Sequence, residues 1–496
     1  MPLALVLDQQ NARTLQDQVF DQIRDMILTS RLKAGHPMPG SRLLAEHLGL
    51  SRNTVTIAYD KLYSEGYLEI RPNIGTFVAR DLPDPALVPL PARPQPGPAE
   101  TRPATAGETL LGTIAAADFP VQAIEHPLAG ALKADFWVGR VDRRGFPLTE
   151  WRRIVDAVLR HNLTGQVRYG DPRGDDGFRQ AIADHIGPAR GVTCRPEDVV
   201  VVGGSQDGLM LIGQMLGTRC RTFVHENPCY QGARYLFGRL GHACRPVPVD
   251  RDGLVVEALP ETRNAVLYVT PSHQFPTGVT LSLPRRLRLL DWAERTDSLI
   301  IEDDYDGDFR HEGGPLTALR GLDRSGRVLY LGTFSKSMGP GLRLGFIVGS
   351  AATAPALARW KHLLSNGVPW HTQAAMARFL DSGAFQRHLR RIRTLYRQRR
   401  DVLIDAIEQH FPGSAIHGRR GGMHLAWRLP DPGCARRLQR LALEQGIGIY
   451  TVTDGGACLS PGDDRHGGLL LMGYAAVEED RIARAIATLA EADRRR

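Results

Sequence analysis

The segment DLPDPALVPLPARPQPGPAETRPATAGE, residues 81–108, constrains this chain most: it holds eight of the 33 prolines in 28 positions and no aromatic residue. Proline fixes φ and lacks an amide hydrogen, so the segment can neither propagate a helix nor fill a central strand. Extended polyproline-like backbone is what remains, and at ~3.1 Å per residue it spans about 85 Å. It reads as a linker, carried to residue 130, between a unit over 12–80 and a unit over 131–496. The 42% hydrophobic content supplies a large core, which excludes wholesale disorder and a small disulfide framework. No apolar run reaches the roughly 18 residues of a membrane span. The opening MPLALVLDQQ lacks the basic region of a secretory signal. No membrane association and a cytoplasmic location are expected.

The six cysteines (Cys194, Cys220, Cys229, Cys244, Cys434, Cys458) include no CxxC pair, so they read as buried or incidental thiols, and no metal site is assigned. Net charge is +8, yet residues 1–80 hold nine Lys/Arg against eight Asp/Glu. Any attraction to nucleic acid there must come from a few placed side chains, not bulk charge.

In the N-terminal unit, Val19, Ile23, Met26 and Ile27 recur at helical spacing, which predicts a helix near 15–30. Leu43, Leu44 and Leu48, then Val55, Ala58 and Leu62, mark two more helices, and GYLEIRPNIGTFVA (66–79) suits a β-hairpin. Within SRLLAEHLGLSRNTVTIAYD (41–60), Ala45 lets two helices approach, Gly49 supplies a permissive turn and Val55 plugs one helix onto the other. Ser51 is a natural N-cap, and Arg52, Asn53 and Thr54 follow in the first turn, the end that meets base edges when such a helix enters a major groove. Arg42 is a candidate phosphate contact, and Arg71, on the hairpin, a candidate minor-groove or phosphate contact. The plainer alternative is a helical hairpin with a solvated polar turn. These residues, through YDKLYSEGYLEIRPNIGTFVA, resemble the winged helix-turn-helix of GntR-type bacterial regulators from about Leu15 to Ala79. Gly40 departs from the small polar residue common there.

After the linker, the apolar runs at 199–204, 221–226, 265–270, 298–303, 328–333 and 345–350 alternate with helical patterns at 206–216, 284–295 and 372–380. That order predicts an α/β domain with a mostly parallel sheet covered by helices. YLGTFSKSMGPGLRLGFIV (330–348) sets Lys336 among hydroxyls, with Gly-Pro-Gly and Arg343 behind it. This pattern suits pyridoxal 5'-phosphate: the ε-amine would form an imine (Schiff base) with the cofactor aldehyde, while Thr333, Ser335 and Arg343 would face anionic oxygens. GGSQDGLML (203–211) opens a helix whose backbone N–H groups near Ser205 and Gln206 can bind phosphate, and it is no GxGxxG. IIEDDYDGDF (300–309) ends a strand in carboxylates, one of which would hold the pyridine nitrogen protonated. A solvated acidic loop or a divalent-metal site is the alternative, with no His or Asp partner at ligand spacing to support the metal.

Together these stretches resemble a fold-type-I aminotransferase domain from about Asp135 onward. The resemblance implies Lys336 for the lysine, Asp303 for the ring nitrogen, Tyr305 for the ring hydroxyl and Tyr230 for the stacking aromatic. It implies Ser205, Gln206, Thr333 and Arg343 for the phosphate. PSHQFPTG (271–278) stands where those enzymes carry Asn-Pro-Thr-Gly, with Phe275 replacing Asn. The whole chain resembles the MocR subfamily of GntR regulators. Membership implies a cytoplasmic transcription factor on double-stranded operator DNA, a head-to-tail homodimer, and pyridoxal phosphate or a small amine as effector. HGGLLLMGYAAV (466–477) lacks the arginine that holds a substrate carboxylate, the nearest being Arg465, which brings the chain closer to regulators of vitamin B6 synthesis. A sensor is expected rather than an enzyme, the alternative being an active aminotransferase with an appended DNA-binding module. FQRHLRRIRTLYRQRRD (385–401) keeps an apolar stripe and reads as a solvated basic helix of the large domain, with DNA-backbone contact as the alternative.

Overall fold

The computed structural model describes residues 3, 5–8, 13–72, 74–82, 132–161, 167–314 and 316–495. Nearly all of the predicted linker lies outside these residues. The chain separates into two compact units, Met1–Ala117 and Asp118–Arg496.

The first unit is built from α1 (Leu15–Leu28), α2 (Ser41–Leu48) and α3 (Arg52–Ser64), followed by β1 (Leu68–Arg71) and β2 (Gly75–Val78). Thr14 caps α1 by accepting the Asp17 amide, and Ser51 caps α3 by accepting that of Thr54 at 3.1 Å. Gly49 ends α2 at φ 65°, the left-handed conformation that glycine adopts without strain. Val19, Phe20, Ile23, Leu44, Ala45, Val55, Ala58 and Leu62 share one core. Leu43, which the sequence pattern places with that stripe, is instead exposed, because α2 buries only Leu44 and Ala45. The hairpin pairs Leu68 with Val78 through Arg71 with Gly75. A third segment joins it: Pro37 bridges Phe77, and the Met38 amide donates to Thr76 O at 2.8 Å. The Tyr59 hydroxyl of α3 donates to Pro39 O at 2.9 Å, tying that same segment to the helix pair.

The second unit is α/β. Its eight-stranded sheet contains β3 (Val199–Val202), β4 (Thr222–Asn227), β5 (Ala243–Asp250), β6 (Gly253–Leu254), β7 (Ala265–Val269), β8 (Leu299–Asp304), β9 (Val328–Thr333) and β10 (Gly345–Val348). The spatial order is β3-β10-β9-β8-β7-β4-β5-β6. From β9 to β5 the strands run parallel, while β10 is antiparallel to both its neighbours. All six predicted strands are present. Strand β5 was not foreseen, since ACRPVPVD carries Pro246 and Pro248; it pairs with β4 on one side and has only the two-residue β6 beyond it, so most of its outer side is free of a ladder and tolerates proline. The central strands are continuous apolar runs because helices cover both faces. A second, antiparallel sheet joins Ala415–His417, His424–Arg428, Leu469–Gly473 and Tyr450–Thr451.

The basic stretch lies in the helix Ala384–His410, and the solvated reading needs correction at its inward arginines. Arg399 donates to Asp142 Oδ2 at 2.8 Å, to Glu479 Oε1 at 3.2 Å and to Ala475 O, with only 3% of its side chain exposed. Arg400 binds Glu312, Asp401 and Arg419 O. Arg387, Arg390, Arg391 and Arg397 remain on the exposed face.

Candidate functional site

In the winged unit, the capped first turn of α3 presents Arg52 and Asn53 to solvent, and Arg42 is exposed in the first turn of α2. The Ser51 and Thr54 hydroxyls lie 2.8 Å apart, so both are engaged in the cap. Arg71 on the hairpin stacks 4.2 Å from the Phe77 ring centroid and pairs with Glu69. That fixes its guanidinium within the hairpin, a restraint the sequence pattern did not foresee.

In the large unit, the carboxyl ends of the parallel strands converge, the usual place for ligand sites on such sheets. Asp303 is the penultimate residue of β8 and is 4% exposed. Tyr268 of neighbouring β7 donates to its Oδ2 at 2.8 Å, whereas Oδ1 is buried and has no partner. Burial pushes the Asp303 carboxyl up to about 7, with Tyr268 opposing. A bare buried carboxylate oxygen demands a donor, and a protonated pyridine nitrogen would satisfy it. Lys336, in the loop after β9, is half-buried with its Nζ donating to Gly139 O at 3.2 Å. Burial lowers its amine below the usual lysine range against the pull of Asp306 and Asp303, which favours the nucleophilic neutral form.

Gly204, at φ +102°, precedes the helix Ser205–Leu216, and a Cβ there would meet the Arg343 guanidinium at 3.2 Å. The missing side chain leaves Arg343 beside the helix N-terminus, where backbone N–H groups of Ser205 and Gln206 are free of helical partners: an anion cup. The Gln206 side-chain Nε2 donates to Gly232 O at 3.2 Å. Thr333 and Ser335 place their hydroxyls 3.0 Å apart in the Lys336 loop. Burial pushes the Tyr230 hydroxyl up, with Asp303 adding to this and Arg343 opposing. Tyr305, Thr333 and Lys336 line one pocket, Arg343 lies beside the helix start at Gly204, and Phe275 links Tyr230 to Tyr305; the bare Asp303 oxygen and the anion cup suit the expected group.

Sequence reasoning missed the surroundings of Tyr305. His273 Nδ1 lies 3.0 Å from the Tyr305 hydroxyl and 2.7 Å from Asp306 Oδ2. His424, whose ring burial pushes down to about 3, contacts Pro276 O through Nε2 at 3.0 Å. His273, Asp306 and His424 are a buried trio of metal-competent side chains, in contrast to the expectation that the acidic loop lacked such partners. Hydrogen bonds already engage His273 Nδ1 and His424 Nε2. His273 Nε2 is packed against Gly278 and Gly418, where a Cβ would sit at 3.1 and 3.3 Å. His273 thus bridges the Tyr305 hydroxyl and Asp306, with the His424 ring packed against it and its own buried Nε2 without a hydrogen-bond partner. Below the cleft, Arg190 forks onto Asp304 at 2.6 and 3.0 Å and also donates to Ser272. No signal in the local sequence marks these pairs, which join residues far apart in the chain.

Phe275 contacts Tyr230 and Tyr305 edge-on, at centroid distances of 6.2 and 5.9 Å. Strand Leu469–Gly473 is entirely buried, and Leu471 packs with Ala426, Val452 and Ala457. Arg465 is 68% exposed and faces Asp463.

A capped helix-turn-helix with a wing, on the same chain as an aminotransferase scaffold, defines a DNA-binding transcriptional regulator of the GntR type. The model of the bacterial regulatory proteins of the gntR family matches residues 15–78, and that of class I and II aminotransferases matches 144–488. The probable rhizopine catabolism regulatory protein MocR of Rhizobium meliloti is 35% identical over 448 residues, 89% of this chain and 87% of that protein. The pyridoxine biosynthesis transcriptional regulator PdxR of Corynebacterium glutamicum is 33% identical, covering 85% of each chain. Kynurenine aminotransferase of Pyrococcus horikoshii superposes with a TM-score of 0.65 at 26% identity, over 80% of this chain and 95% of that one. This chain belongs to the MocR subfamily of GntR regulators. Among the described residues no helix is long and apolar enough to cross a membrane.

Proposed function

We propose that the aminotransferase-like domain is a sensor that holds pyridoxal 5'-phosphate on Lys336 and reports its presence, or that of a small amine joined to it, to the winged helix. The observation that carries this reading is the unpartnered, buried Oδ1 of Asp303 in the same cleft as the low-pKa amine of Lys336. Bound there, the cofactor would supply an amine-reactive aldehyde and an electron-withdrawing ring. Asp303 would hold the ring nitrogen protonated, Tyr305 with its His273 prop would orient the ring hydroxyl, and Tyr230 would cover one face. Ser205, Gln206, Thr333, Ser335 and Arg343 would bind the phosphate. On operator DNA, Arg52 and Asn53 would read bases while Arg42 and Arg71 meet the backbone, with residues 81–130 as the linker.

The effector can switch the regulator only by favouring one arrangement of the protein over another; equal affinity for both would shift nothing. The name of the Corynebacterium relative supports the vitamer itself as effector. A head-to-tail homodimer in the cytoplasm belongs to the same proposal, and sedimentation as a monomer would remove it. Lys336→Ala should lose the visible absorbance that wild type gains with the cofactor, and its operator binding should no longer respond. A variant that keeps the full cofactor-dependent change in operator affinity would overturn the sensor reading. Lys336, Asp303 and Tyr305 also suit a working aminotransferase. Against that stand Phe275 and the apolar strand around Leu471, and repeated turnover of an amino acid would decide for the enzyme.

A further inference from the structure

The strand Cys229–Tyr230 pairs antiparallel with Ala457–Cys458, and the register sets Cys229 directly opposite Cys458. Opposed residues of an antiparallel ladder project to the same face, with Cα atoms ~4.5 or ~5.5 Å apart according to the type of pair. A disulfide accepts Cα separations of roughly 4.4–6.8 Å. Both cysteines are free and buried, and among the described residues no other two cysteines face each other in a ladder. We propose that Cys229 and Cys458 form a redox dithiol, which a hydroperoxide converts reversibly into an intrachain disulfide at the edge of the cleft.

The two sulfurs have different surroundings. Burial pushes the Cys458 thiol up, but Tyr235 and Arg234 lie against it and favour its thiolate. Cys229 is pushed far higher by burial, with Cys458 adding to the effect, and stays a thiol. Cys458 therefore attacks first. Its thiolate sulfur takes one peroxide oxygen as the O–O bond breaks, and the hydroxide released picks up the proton Cys458 gave up. Cys229 sulfur then attacks the resulting sulfenic acid; the S–O bond breaks, and the departing hydroxide leaves as water with the Cys229 proton. The thiols lose two electrons in all, and hydrogen peroxide becomes two waters.

Opposed Cβ atoms stand ~4.5–5.5 Å apart, whereas a relaxed disulfide holds them at ~3.5–4.5 Å, so closure must draw the strands together by about 1 Å. Strain of that kind makes a disulfide easier to reduce, as a regulatory bond in a reducing compartment must be. The pull falls on Tyr230, next to Cys229 and opposite Ala457. Its effect on the cofactor rests on the sensor reading above.

The test uses the full-length protein, reduced, desalted and titrated with hydrogen peroxide, then denatured, alkylated and mapped by mass spectrometry. The expected product is a Cys229–Cys458 peptide pair, with a thiol titre lower by two and full recovery in dithiothreitol. Cys229→Ser and Cys458→Ser should each abolish it, and Cys434→Ser should not. If a serine variant fails to fold, the wild-type peptide map decides alone. Retention of all six thiols, a bond in any other pair such as Cys244–Cys458, or a bond between chains would overturn the proposal. Release of pyridoxal phosphate from oxidised protein should differ several-fold from the reduced form. A mapped disulfide with unchanged release removes the link to Tyr230, while a mapped disulfide in a protein that takes up no cofactor removes the sensor reading alone.

Discussion

Replacing Asp303 by asparagine should stabilise the cofactor-free protein and weaken its hold on the cofactor. In the folded chain this carboxyl titrates near 7 because burial disfavours its charge, against 3.8 for the ordinary group. Between those values the folded state holds a proton that the unfolded chain has released, so stability falls as pH rises through the window. At about 1.4 kcal/mol per unit, a shift of roughly three units makes the buried charge unfavourable by about 4 kcal/mol at pH 8. Asparagine keeps an acceptor for Tyr268 and carries no charge, so the variant should recover most of that stability at pH 8 and almost none at pH 4. Glu226 and Glu302 are raised to about 7 by burial as well, so the comparison must be variant against wild type at each pH. Thermal or urea unfolding of cofactor-stripped protein at the two pH values reads the difference. The same substitution removes the anion that would keep a pyridine nitrogen protonated, and cofactor affinity should drop at pH 8. A variant no more stable than wild type at pH 8 would refute the claim that Asp303 is a charge waiting for a partner.

Three further outcomes follow from named contacts. Ser51→Ala removes the acceptor of the Thr54 amide and should destabilise the winged unit by about 1 kcal/mol, read by denaturation, with operator affinity falling in parallel. Arg52→Ala should weaken operator binding in a mobility-shift titration while leaving cofactor uptake unchanged, because its side chain lies on the exposed first turn of α3. Arg399→Leu should destabilise the large unit by about 3 kcal/mol in urea unfolding, near the lower end for breaking a buried ion pair, since Arg144 still holds Asp142. The exposed Arg390→Ala should change it by less than about 0.5 kcal/mol.

Much of this architecture was legible because its signals are local. A Ser51 cap followed by a polar turn, Gly49 at the bend, and unbroken runs such as Val199–Val202 each define their own element within a few residues. The cleft was legible for a related reason: Asp303, Thr333, Lys336 and Tyr230 each sit just past a strand end or beside one, where a parallel sheet must gather them. What stayed hidden depends on long separations. Asp306 meets His273 across 33 positions and Arg190 meets Asp304 across 114, so neither leaves a periodic trace. Arginines 399 and 400 looked solvated because charge predicts exposure until a carboxylate, such as Asp142 or Glu312, arrives from a distant stretch of chain. The strand at 243–250 was masked by its two prolines, which are tolerated because only the two-residue β6 lies beyond it.

The tie from Tyr59 to Pro39, one residue beyond the Met38 link to the wing, has a mechanical consequence. This short strip of backbone and the core shared by Leu44, Val55, Leu62, Leu68 and Val78 button helix pair and hairpin together, so the reading head behaves as one stiff stamp. No signal has an obvious way to bend the recognition surface itself; it can only change where, and at what spacing, the stamp is pressed onto the promoter.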